Sequence, residues 1–179
     1  MTAGRPPRIR PATAHDAERI AEVHVRSWQA AYRGLMPQEY LDALEPADRL
    51  PRWQQLLTNP DLAGNEVLVA DDGDSICGFA SFGPTRDADG DASRTGEVRA
   101  IYLAPGAMGQ GVGRRLLAAS VDRLVRAGFE QVTLWVLDTN ARARRFYEIA
   151  GFRADGAVQA DHRTGFRLDE VRYRRPLSG

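Results

Sequence analysis

Four glycines, Gly106, Gly109, Gly111 and Gly113, fall close together in the stretch LAPGAMGQGVGRRLLAAS (103–120), and two arginines follow them into a run with helical spacing. A strand that passes through glycines into a helix is suited to hold an anion. Glycine lets main-chain N–H groups approach a phosphate closely, and the first helical turn adds unpaired donors and roughly half a positive charge. Arg114 and Arg115 lie in that first turn, where a cation opposes the helix dipole. An anion placed between them and the helix end removes the conflict. Two nucleotide patterns are not met. A G-x-G-x-x-G from Gly109 would need glycine at 114, and the G-K-[ST] of a P-loop is absent. The bland alternative for this segment alone is a Gly-rich connection without a ligand.

The elements that must carry this loop are legible on either side of it. GEVRAIYLAP reads as a long strand leading into the glycines. A helix over 112–127 follows, with Val112, Leu116, Leu117, Val121, Leu124 and Val125 on its apolar face and Gly128 as its stop. QVTLWVLD has almost no polar alternation, as in a strand covered on both faces. TNARARRFYEIAGF is a short helix with Thr139 or Asn140 as N-cap, Phe146, Ile149 and Ala150 as its apolar face, and Gly151 as stop. Two strands, 153–160 and 166–175, close the chain as a hairpin. Upstream, IRPAT is a first strand, and Thr13 and Asp16 have capping-box spacing. A helix to about Arg33 carries Ala17, Ile20, His24, Ser27, Trp28 and Ala31 on one face. Two further helices cover 38–44 and 48–57, and NPDLAGN is a loop. EVLVADD and SICGFASFGP form a hairpin through DGD. TRDADGDASRT reads as an exposed acidic loop, where solvation is favoured over steering of cationic acceptors.

The chain has 179 residues and balances 24 Lys+Arg against 24 Asp+Glu. That length suits one domain over 8–177 with a frayed tail at 1–7. A neutral balance offers no footprint for nucleic acid and no basic stripe for a membrane surface. There is no apolar run of spanning length, and MTAGRPPR lacks the apolar segment of a signal peptide. The single cysteine, Cys77, fits a reducing cytoplasm. It lies mid-strand among Ile76, Phe79 and Ala80 and reads as a buried thiol rather than a nucleophile. No His/Cys/Asp cluster has metal-ligand spacing.

EVRAIYLAP, MGQGVGRRLL and VTLWVLDTNARARRFYEIAGF, with the strand–helix order around them, resemble the GCN5-related N-acetyltransferase family over about residues 8–177. Met108 stands where the family's loop has Gln or Arg; the main-chain donors do not depend on it. WQAAYRGLMP is similar to the first helix of an uncharacterised bacterial branch. The resemblance implies an α/β (α+β) acyl-CoA N-acyltransferase fold: a mixed, mainly antiparallel sheet of six or seven strands, helices on both faces, and central strands at about 96–104 and 131–137 that splay apart. It implies acetyl-CoA as co-substrate and no metal. Its pantetheine would pair with the main chain at Ile101, Tyr102 and Leu103. Its pyrophosphate would take N–H bonds from Gly109, Gln110, Gly111, Val112, Gly113 and Arg114. Asn140 would face the pantetheine and Tyr147 the sulfur. Dimers are common in the family, so a homodimer is a further expectation.

Direct acetyl transfer to a primary amine then sets three demands. The amine must lose its proton, the thioester oxygen must be held as charge develops, and the leaving thiolate must gain a proton. Tyr147 is the general acid in this reading. Glu97, at the start of a splayed strand, is the candidate base, weighed against an ordinary exposed strand-end carboxylate. Strict alternation puts Glu97, Arg99, Ile101 and Leu103 on one face, unless a bulge breaks the parity. Trp28 and Tyr32 are candidates for a wall of the acceptor pocket, against core packing. His24 reads as a packed or surface histidine. Arg142, Arg144 and Arg145 read as a solvated helix face. The acceptor is a small-molecule or peptide amine. The alternatives are an enzyme for a longer acyl-CoA, decided by the room beside Ile101 and Trp135, or a coenzyme-A-binding sensor without turnover.

Overall fold

The computed structural model describes residues 6–59, 64–162 and 165–177. Most of the expected N-terminal tail, and residues 60–63 of the NPDLAGN loop, lie outside the described residues. In chain order the elements are β1 (Arg8–Pro11), α1 (Ala17–Ala31), α2 (Gln38–Asp42), α3 (Pro46–Thr58), β2 (Glu66–Asp71), β3 (Ile76–Pro84), β4 (Thr95–Leu103), α4 (Val112–Arg126), β5 (Gln131–Leu137), α5 (Ala141–Ile149), β6 (Arg153–Asp161) and β7 (Leu168–Pro176). Hydrogen-bonded neighbours give a seven-stranded sheet in the order β1-β2-β3-β4-β5-β7-β6. The pairs β1–β2, β2–β3, β5–β7 and β6–β7 are antiparallel, and β4–β5 is parallel. Contacts divide the chain into two compact units, Met1–Phe82 with Ala100–Asp122, and Gly83–Arg99 with Arg123–Gly179.

In the first unit, the entry to α1 is set by one carboxylate. Asp16 accepts the Thr13 N–H at 2.7 Å and the Thr13 hydroxyl at 3.1 Å, and takes the Arg10 guanidinium at 2.8 and 3.0 Å. The Arg10 bonds hold the Asp16 carboxyl down to about 2, against the opposing effect of burial. The core beneath α1 and α3 joins Ile20, Val23, Trp53, Val69 and Phe79, all buried. On β3, Phe79 packs against Trp53 and His24. The next residue back, Gly78, faces Leu103 and Leu116 of α4. Neighbouring strand residues point to opposite faces, so α1 with α3 covers one face of β3 and α4 covers the other.

In the second unit, β5 pairs with β7 over its full length, Gln131↔Pro176 to Leu137↔Glu170. Its ladder with β4 is short, with Thr95↔Gln131, Gly96↔Val132 and Glu97↔Thr133 as its pairs. Along β4, Gly96 faces Leu124 of α4, whereas Leu103 meets Leu116 and Ala100, Tyr102 and Ala104 pack toward α1 and α3.

Two expected apolar positions are corrected. Val125 is 41% exposed and Ile149 66% exposed. Val125 lies about 100° around the helix from buried Leu124, off the stripe that α4 buries. Ile149 is the last residue of α5.

Gly78 marks the closest approach in this part of the core. A Cβ there would lie 2.5 Å from a Leu103 methyl, 3.2 Å from the Tyr102 carbonyl oxygen and 3.3 Å from a Leu116 methyl. Gly78→Ala is expected to destabilise the fold by about 1–3 kcal/mol through overpacking, read as a lower midpoint in thermal unfolding.

Candidate active site

The glycine loop leaves β4 through a 3-10 turn at Pro105–Ala107. Gly109 and Gly111 each sit at φ +78°, a left-handed conformation that L side chains rarely adopt. The Gln110 carboxamide donates back to the Gly106 carbonyl at 2.6 Å, closing the loop on itself. The first bonded donor after it is the Arg115 N–H, to the Gly111 carbonyl at 3.2 Å. Among the described residues, none of the N–H groups of Gly109, Gln110, Gly111, Val112, Gly113 and Arg114 donates to a protein acceptor. Arg114 and Arg115 are exposed and likewise carry no ion pair among the described residues. The end of β4 just before the loop, Ile101, Tyr102 and Leu103, is half-buried.

Tyr102 belongs to an aromatic cluster carried by α1. His24 stacks on it at 5.2 Å and 14°, and Trp28 meets it edge-on at 6.2 Å. Trp28 in turn meets Tyr32 at 5.1 Å, and the Arg49 guanidinium lies 5.6 Å from the Trp28 ring. Trp28 and Tyr32 are thus half-buried beside the strand end rather than sealed in the core. His24 accepts the Trp53 indole N–H on Nδ1 at 3.2 Å. That bond needs the neutral imidazole, with its proton on Nε2. Burial, with Arg49 and Arg52 nearby, pushes its pKa down to about 3. Burial likewise pushes the Cys77 thiol up, with the Asp72 and Asp71 charges adding to it, so the thiol is not an activated nucleophile.

The second unit holds the other expected residues. Asn140 caps α5, its Oδ1 accepting the Ala143 N–H at 3.0 Å. Tyr147 is half-buried, with its ring edge-on to Phe146 at 5.1 Å and Phe152 at 5.9 Å. Arg144, expected in solvent, donates to the Tyr173 hydroxyl at 3.1 Å and to Asp138. Glu97 is not the open strand-end carboxylate that a direct base requires. Its side chain is 2% exposed and accepts three donors from Arg86, the main-chain N–H at 3.0 Å, Nε at 3.0 Å and Nη2 at 2.5 Å. Arg86 thus occupies both Glu97 oxygens and leaves little of either open to an approaching amine.

The acidic loop also differs from expectation. Asp87 is half-buried and accepts the Trp135 indole N–H at 2.9 Å and Arg172 at 3.1 Å. Arg172 is buried and takes Asp89 at 2.6 and 2.8 Å and Asp155 at 2.8 Å. The Asp89 bonds, opposed by burial, raise the Arg172 pKa. Sequence reasoning passed over Asp87 and Arg172. The available signal was Trp135, an indole in an otherwise apolar strand, whose N–H needs an acceptor when buried. Among the described residues, no cluster of three or more His, Cys, Asp and Glu could hold a metal ion, and no helix is long and apolar enough to cross a membrane.

Residues 18–152 match the family model described as "Acetyltransferase (GNAT) family". The chain belongs to that family. The N-acetyltransferase YuaI of Bacillus subtilis (strain 168), itself uncharacterised, is 38% identical over 133 residues, covering 74% of this chain and 72% of YuaI. The L-amino acid N-acyltransferase MnaT of Escherichia coli (strain K12) is 30% identical over 146 residues, covering 80% of this chain and 78% of MnaT. The structure of yncA from Salmonella typhimurium with its cofactor acetyl-CoA superposes with a TM-score of 0.71 at 26% identity, covering 97% of this chain and 95% of that one. The seven-stranded mixed sheet with its helices is the fold of this GNAT family, and acetyl transfer is its chemistry.

The neutral His24 has a consequence for pH. Unfolded, it takes a proton near 6.5; folded, only near 3. Between those values the unfolded state binds more protons, so stability falls as pH drops. Denaturant unfolding at pH 4.5 is expected to give a free energy lower than at pH 7 by roughly 2–3 kcal/mol from this residue. His24→Phe should flatten that dependence.

Proposed function

We propose that this GNAT chain is an acetyl-CoA-dependent N-acetyltransferase that passes the acetyl group directly to a primary amine of a small molecule or peptide. The observation that carries the reading is the run of main-chain N–H groups from Gly109 to Arg114, without protein acceptors among the described residues, where β4 runs into α4. A diphosphate accepts from such a run and faces the positive end of the helix dipole. In this reading the pantetheine lies along Ile101, Tyr102 and Leu103, with Asn140 presented toward it. Trp28 and Tyr32, beside Tyr102, contribute to the acceptor side. The small-molecule arm is supported by the likeness to MnaT, named for acylation of L-amino acids.

The chemistry follows from these positions. The neutral amine attacks the thioester carbonyl carbon, and the oxygen takes up charge. A main-chain N–H of β4 beyond its ladder with β5 would hold that oxygen. The carbon–sulfur bond then breaks, and the Tyr147 phenol gives its proton to the thiolate. The amine sheds its own proton to water. Glu97, tied to Arg86, serves to hold the start of β4 and does not take that proton directly.

The test follows free thiol released from acetyl-CoA with a panel of amines, including L-amino acids, polyamines and short peptides, beside calorimetric binding of acetyl-CoA. Binding with thiol release from at least one amine is expected. Binding with no release from any amine would favour a sensor. Tyr147→Phe should lower turnover by about 10- to 1000-fold, within or just below the usual general-acid contribution, with acetyl-CoA affinity unchanged. Wild-type turnover in that variant would remove Tyr147 from the mechanism.

A further inference from the structure

Backbone hydrogen bonds hold neighbouring strands about 4.8 Å apart. The β4–β5 ladder ends at Glu97↔Thr133. At that point one dipeptide of the loop before β4 ties three strands together through side chains. Arg86 holds Glu97 of β4 through the three bonds given above. Asp87 divides its two oxygens. Oδ1 accepts the indole N–H of Trp135 on β5, and Oδ2 accepts Arg172 on β7. Trp135 and Arg172 are themselves cross-strand partners in the β5–β7 ladder. The Arg172 guanidinium lies 5.6 Å from the Trp135 ring, so the ring is fixed at its edge and over its face. Asp89 and Asp155 take the remaining Arg172 donors.

We propose that Arg86 and Asp87 are positioning residues: a strap that sets how far β5 stands from β4 where their ladder stops, with Trp135 as the surface that limits the acyl chain. The proposal rests on the reading that acyl-CoA lies along β4 beyond that point. The chemistry of the strap argues for geometry over stability. Burying the Arg172 guanidinium against Asp87 and Asp155 costs desolvation that its ion pairs barely repay, and an apolar plug would serve cohesion equally well. A plug would not orient an indole. The charged dipeptide does, because a carboxylate fixes the direction of the N–H it accepts and a bidentate guanidinium fixes a plane. Trp135 stands two residues past the last ladder position of β5, Thr133, at the first step where a widened gap would admit a longer acyl group.

The test uses the full chain with Asp87→Ala, Asp87→Asn and Trp135→Phe. Each variant is assayed for kcat and KM with acetyl-CoA and with butyryl-CoA, beside its thermal midpoint and its calorimetric affinity for acetyl-CoA. Asp87→Ala and Trp135→Phe are expected to lower the acetyl-over-butyryl ratio of kcat/KM by about tenfold, the scale at which a site discriminates one or two methylenes. Asp87→Asn, which still offers an oxygen to the indole, should retain most of the ratio. A merely structural role would shift the thermal midpoint and leave the ratio alone. Should Asp87→Ala not fold, Trp135→Phe decides, since it removes one N–H and keeps an aromatic ring. A wild-type ratio in Trp135→Phe overturns the strap. Failure of the wild-type chain to bind acetyl-CoA overturns the acyl-CoA reading itself, and the strap with it; that outcome is read from the unmutated protein and so is distinct.

Discussion

The parallel ladder between β4 and β5 runs over the register Thr95↔Gln131 to Glu97↔Thr133, and this short junction constrains everything around it. A parallel strand pair is ordinarily secured along its length by evenly spaced bonds. Here β5 spends its other edge fully on β7, and the ladder between β4 and β5 stops after Glu97↔Thr133. Backbone groups are thereby released from the ladder while both strands stay anchored, β4 by its first residues and β5 by its neighbour. An extended ligand of the kind proposed above would need unspent main-chain donors on a rigid support, and a short ladder leaves such donors.

The first unit solves a different problem. His24 is held among Trp28, Trp53, Phe79 and Tyr102. An imidazole so enclosed must stay neutral, and the cations Arg49 and Arg52 press in the same direction as burial. The Trp53 N–H then finds an acceptor inside the core. Tyr102, at the end of β4, is stacked on an imidazole that burial keeps neutral down to about pH 3. The strand end that leads into the glycine loop is therefore steadied by aromatic contacts at the point where ladder bonds give way to the loop.

Much of this was legible from the residues. The strand–glycine–helix passage, the capping pair Thr13 and Asp16, and the turn at Asp72–Asp74 depend on local chemistry, and local chemistry is what a sequence displays. The long-range charge pairs were not legible. In sequence, Glu97 offers a choice between a base and an exposed carboxylate, because nothing near it reveals Arg86 folding back from eleven residues upstream. Asp87 and Asp89 looked like a solvated acidic run because their partner, Arg172, is more than eighty residues away. Val125 and Ile149 show the limit of periodicity. It finds the stripe a helix can bury, but the neighbouring elements decide how wide a stripe is covered.

The same contrast separates main-chain from side-chain chemistry in the chain. Main-chain donors at Gly109–Arg114 do not depend on side-chain identity, so an apolar Met108 before them costs none of the N–H groups. What the loop does require is left-handed backbone at Gly109 and Gly111, which only glycine adopts cheaply. Arg114 and Arg115 then carry their charges at the end of α4 where a helix least favours them, with no carboxylate among the described residues to answer. Two unanswered cations beside unspent N–H groups and a positive dipole end make a local field of one sign. Such an arrangement is stable as folded only at some electrostatic cost, which a diphosphate bound there, as proposed above, would offset.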